Sequence, residues 1–119
     1  MSTIHFTIHY RTNQKQKVQG FIDQYSVQCG IEIHDLKIER YWKGKDQLQA
    51  SFFITTKLTQ REEKIFQILA LANMLATTTQ HSWTFNGPHE NGQLVFECIF
   101  NNTKEDQPLR WAHIALEDR

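Results

Sequence analysis

Residues 4–10 alternate strictly between two faces. Ile4, Phe6, Ile8 and Tyr10 share one parity, and His5, Thr7 and His9 share the other. Period two with β-branched and aromatic residues predicts a strand. The period then lengthens. Val18, Phe21, Ile22 and Tyr25 fall on one helical face, which predicts an amphipathic helix over about 14–26 with Thr12 or Asn13 as its cap. Gly20 inside that helix costs up to ~1 kcal/mol against Ala, and Gly30 ends the connection. Residues 31–43 predict a second strand with a slip. Ile31 and Ile33 hold one parity, whereas Leu36, Ile38 and Trp42 hold the other. A one-residue phase change requires a bulge near His34 and Asp35, because otherwise one apolar set faces water. A turn at 43–46 leads into a third strand over 47–57, with Leu48, Ala50, Phe52 and Ile54 inward, so the two strands form a hairpin.

Thr59 and Glu62 have the spacing of a capping box. The helix they open is expected to run to about Thr77, burying Ile65, Ile68, Leu69, Ala72, Leu75 and Ala76. Three strands follow, over 82–86, 93–101 and about 109–116. Two Asn-Gly pairs separate the first two, and both are turn signals. The last segment reads as a strand placing Ala112, Ile114 and Leu116 together; a helix with Pro108 at its first position is the alternative. The expected fold is α+β: a ferredoxin-like βαββαβ core with extra C-terminal strands, two helices on one face of an antiparallel sheet. No linker or repeat interrupts 1–119, so one domain is expected.

Charge and composition narrow the function. Lys+Arg and Asp+Glu are both 13, which argues against a strongly basic nucleic-acid coat and an acidic disordered tail. The balance is uneven along the chain: residues 1–45 carry seven Lys/Arg and four Asp/Glu, residues 46–119 six and nine. Opposed patches can orient an encounter with a charged partner. No apolar run approaches the ~18 residues of a membrane span, and the first residues lack the pattern of a secretory signal. A cytoplasmic protein is the expectation.

Candidate chemistry is sparse. Cys29 and Cys98 have no Cys or His at metal-ligand spacing, and read as two buried thiols. His5 and His9 sit roughly 13 Å apart along a strand, too far to share an ion, and no HxH or HExxH occurs. No metal or other cofactor is therefore expected. Lys37, Arg40, Lys43 and Lys45 mix with Tyr41 and Trp42, a combination suited to phosphates and stacked bases, but the zero net charge argues against nucleic acid as the partner. There is no nucleophile elbow, catalytic Cys-His signature or glycine-rich phosphate loop.

The face of the sheet left open to water is the more informative object. Its expected members are His5, Thr7, His9 and Arg11 from the first strand, Lys37, Glu39 and Tyr41 from the second, and Gln49, Ser51 and Phe53 from the third. Polar, aromatic and charged groups on rigid strands suit a partner surface. Phe66, Ala70 and Met74 form a stripe off the main face of the long helix. Self-association would use it, and coverage by the C-terminal segment is the competing expectation.

In size, layout and lack of catalytic motifs, the whole chain resembles the small α+β immunity proteins that bacteria encode beside secreted toxins. The resemblance implies a non-catalytic domain that neutralises a toxin by binding its active face, with a nuclease as the expected partner and charge steering the encounter. Glu90, Glu97, Glu105 and Asp106 would then mimic a phosphate backbone. The alternative is a small homodimeric ferredoxin-like enzyme or ligand-binding protein, which would carry a pocket with convergent polar groups and a perturbed ionisable side chain.

Overall fold

The computed structural model describes residues 2–43, 46–75, 83–90, 92–102 and 108–118. The elements run β1 (Ser2–Tyr10), α1 (Lys15–Cys29), β2 (His34–Arg40), β3 (Leu48–Thr55), α2 (Arg61–Leu75), β4 (Trp83–Asn86), β5 (Leu94–Asn101) and β6 (Leu109–Asp118). The strands form one six-stranded antiparallel sheet in the order β2-β3-β1-β6-β5-β4. The fold is α+β, and no helix among the described residues is long and apolar enough to cross a membrane.

The strand order corrects the ferredoxin-like expectation. β2, β3 and β1 follow that pattern, but the slot beside β1 that the fourth strand should fill belongs to β6. The reason lies in length and patterning. β4 has four residues, none of them buried, with only Trp83 and Phe85 on its apolar side, too short a run for a central position. β6 has ten residues and buries Leu109, Ala112, Ile114, Ala115 and Leu116, so it can pair along nearly all of β1. The last three strands run from the edge inward. The C-terminal segment is therefore a strand as expected, and it lies mid-sheet, not over α2.

One apolar layer joins the sheet to both helices. Ile4, Phe6 and Ile8 of β1 cluster with Val18, Ile22 and Tyr25 of α1 and with Ile68, Leu71, Ala72 and Leu75 of α2. Each large side chain so buried contributes about 1.5–3 kcal/mol. The helix faces differ slightly from expectation: Leu71 turns inward, while Leu69 is 39% exposed. The N-cap of α1 is Gln14 and has no side-chain cap; Thr12 Oγ1 instead accepts from Gln14 N–H at 3.2 Å. Gly30 adopts the left-handed conformation that ends α1.

The phase slip in β2 is real. Asp35 takes a positive φ of 55°, and pairing with β3 shifts between His34 and Lys37. Leu36 and Ile38 thereby join the core while His34 faces the other way, against Phe53. A second bulge lies in the β1–β6 pair. His9 opposes Trp111 and Tyr10 opposes Leu109, which leaves Arg110 as the extra residue. Such a bulge re-aims a side chain.

Candidate functional site

Strand parity sends every second residue away from the helices. Register then assembles these residues into rows across the sheet. One row reads Glu39, Gln49, His9, Trp111 and Asn101. The next reads Lys37, Ser51, Thr7, His113 and Ile99, and the third reads His34, Phe53, His5, Ala115 and Glu97. The expected members from the first three strands therefore meet on one surface. Arg11 lies just past β1 and donates from Nη2 to the Asn102 carbonyl at 2.8 Å, bracing the β5–β6 end. Tyr41 lies just past β2 and reaches the surface through its ring. Glu105 and Asp106 lie outside the described residues.

The surface has two ends of different chemistry. At one end, His9 lies between Tyr41 and Trp111, with ring centroids 4.0 and 4.7 Å away. His9 Nε2 donates to Gln49 Oε1 at 3.0 Å. Burial lowers the His9 pKa below its ordinary 6.5, the Gln49 bond opposes that, and the Arg110 charge adds to it. The imidazole is thus held towards its neutral form. Trp42, Lys43 and Arg110 join these rings around an open concavity of about 660 Å³. Trp42 is 82% exposed, and the Lys43 ammonium sits 4.8 Å from its ring centre.

Further along the face, His34 and His5 pack on the Phe53 ring, and two histidines lie beside glutamates. His5 Nε2 lies 3.4 Å from Glu117 Oε2 and 2.9 Å from Thr3 Oγ1, and His113 Nε2 lies 3.7 Å from Glu97 Oε1. The four ionisable residues surround Ala115, which is only 5% exposed although it faces away from the helices. Among the described residues, no group of three or more His, Cys, Asp or Glu forms a metal-holding cluster. Glu97, one of the expected acidic mimics, lies on this face beside His113.

Half of this surface escaped the sequence reading. Trp111, His113, Ala115 and Glu117 become neighbours of β1 only once β6 takes the slot beside it. Their odd parity was visible; their position was not. On α2, Phe66 is 72% and Met74 40% exposed, so this stripe is uncovered among the described residues. Phe66 and Ala70 line a separate groove of about 960 Å³ with Ile31 and Leu58. Comparisons with protein families, curated proteins and solved structures find no match to this chain.

Proposed function

We propose that this protein is a non-catalytic binding domain that takes another protein on the open face of its sheet. The observation that carries this reading is the one-sided arrangement of the helices. Both bury into a single layer with the even positions of β1, and the odd positions form a broad surface of rings and His–Glu contacts. Rigid strands hold these groups in place, so a partner orders few side chains on contact. Aromatic residues of this kind dominate the binding energy of protein interfaces. Neutralisation of a toxin is the form of binding that the resemblance to immunity proteins implies, with the paired glutamates opposing a basic active face.

Thr7 and Ser51 are paired near the middle of this surface. Thr7→Arg and Ser51→Arg place bulk and charge there without touching the core; Gln24→Arg, on the exposed side of α1, is the control. The tagged full chain should capture a defined protein from its own cells. That capture should be lost with either face variant and kept with the control. A partner retained equally by all three overturns the reading.

A further inference from the structure

We propose that the concavity between the β2–β3 hairpin and the start of β6 binds a nucleotide: a planar base stacked on its indoles, with the phosphate held by Lys43 and Arg110. This goes beyond the protein-binding reading, because the free chain would hold the ligand by itself.

The argument begins with what the backbone does here. The extra residue at the β1–β6 bulge lets consecutive residues Arg110 and Trp111 both line the same hollow. One residue supplies a cation and the next supplies a ring. Across the hollow, Trp42 and Lys43 repeat that pairing at the tip of the neighbouring hairpin. Two ring–cation pairs thus converge from separate strands. An indole 82% exposed is poorly placed for the core and well placed to stack on a flat ligand.

Charge and hydrogen bonding fit the same ligand. The Arg110 charge reaches far enough into the hollow to disfavour protonation of His9. A phosphate there would meet that same field with the opposite sign. Arg110 also donates from Nη1 to Asn101 Oδ1, which fixes its guanidinium against the sheet. Gln47 and Gln49 line the wall and present amide groups of the kind that read base edges. Glu39 is the one acid in the adjoining row, outweighed by Lys43 and Arg110, which line the hollow itself. The volume, about 660 Å³, lies within the range of small-ligand sites. The zero net charge of the whole chain does not bear on this corner, where cations are concentrated.

A base carrying a phosphate can arrive as a free nucleotide or at the end of a single strand. The full chain is titrated with AMP, adenosine, inorganic phosphate and a short single-stranded oligodeoxyadenylate, by calorimetry and by indole N–H NMR. Saturable binding is expected for AMP, the oligonucleotide or both. The indole signals of Trp42 and Trp111 should move while that of Trp83, packed on Phe100 beside the core, should not. Adenosine and phosphate alone should bind at least about tenfold more weakly, and Trp42→Ala and Lys43→Glu should each weaken binding by about tenfold or more. Both are exposed, so circular dichroism should be unchanged. Equal affinity for AMP and oligonucleotide assigns the free nucleotide. Tighter oligonucleotide binding with steep salt dependence assigns the strand. The proposal is overturned if neither ligand binds, if phosphate binds as tightly as AMP, or if both substitutions leave affinity unchanged. None of these outcomes depends on capture of a protein partner.

Discussion

His9 and Trp111 face each other across the β1–β6 pair with their rings stacked 4.7 Å apart, and Tyr41 closes the other side of the imidazole at 4.0 Å. A protonated imidazole would lose water on both faces in this stack and would be opposed by the Arg110 charge. The arrangement therefore favours the neutral ring, even though Gln49 Oε1 accepts a hydrogen bond from its Nε2–H.

The consequence is a pH-dependent stability with a definite sign. The folded His9 pKa lies below 6.5, the value taken for the unfolded chain. As pH falls through 6.5 the unfolded state takes up the proton first, so stability present above that value is lost on acidification. His9→Phe keeps a ring in the stack and removes the titration. Urea unfolding between about pH 7 and about pH 5 should show a shallower loss for His9→Phe than for the parent. Identical slopes would mean that His9 is not held neutral.

The bulge at Asp35 was legible because Ile31 and Ile33 hold one parity and Leu36 and Ile38 the other, although the strand itself begins only at His34, after the first pair. The caps, long-range pairings and strand order were less so. Nothing local in Leu109–Asp118 says that it pairs with β1; that outcome depends on β4 being too short to compete. The open surface was consequently half legible, with the β1 and β3 residues foreseen and their β6 neighbours missed. The bulge at Arg110 left one mark, the odd parity of Leu109 against the even Ala112, Ile114 and Leu116, too short a run to read as a phase change.

Lys64 joins α2 to the two central strands. Its side chain is 12% exposed, and its ammonium donates to Ser2 Oγ at 2.6 Å and lies 3.3 Å from Asp118 Oδ1; Ser2 also donates to Asp118. The Ser2 hydroxyl first, and Lys64 second, hold the Asp118 carboxyl below its ordinary 3.8. That contribution is present above 3.8 and fades as pH falls through the lowered folded value. Asp118 is 45% exposed, so solvent screening keeps the effect small. Lys64→Met and Asp118→Asn should each cost about 1 kcal/mol near neutral pH. The double variant should cost less than their sum, and the Asp118→Asn deficit should close in acid. Additive losses in urea unfolding would show that the three groups do not act together.

Two glycines with positive φ should respond very differently to alanine. At Gly30, φ is 63° and a Cβ would meet nothing within 4 Å, so Gly30→Ala should cost only the left-handed penalty of about 1–2 kcal/mol. At Gly87, φ is 118° and a Cβ would lie 2.8 Å from the Val95 carbonyl oxygen and 3.3 Å from Phe96 Cα. Those are backbone atoms of β5 and cannot rotate aside. Gly87→Ala should therefore exceed the Gly30→Ala loss by roughly 2 kcal/mol or more. Thermal unfolding of the two variants checks this, and equal melting temperatures would contradict the close approach of residue 87 to β5.

Cys98 lies wholly inside the core on β5, and both cysteines are free thiols. Burial, with the Glu97 charge as the smaller cause, pushes the Cys98 pKa up to about 12. Near pH 8 only about one Cys98 in ten thousand would be thiolate, the species that attacks disulfides. Burial also raises the Cys29 pKa, opposed by a hydrogen bond with Tyr25. In a Cys29→Ser variant, Cys98 should therefore react with an aromatic disulfide reagent only as fast as the protein opens, and at once in denaturant. Measuring that rate against reagent concentration separates two cases. A rate that levels off at high reagent reports opening of the sheet. A rapid bimolecular reaction in the native protein would show that the inner face of β5, where Cys98 is fully buried, is open to solvent.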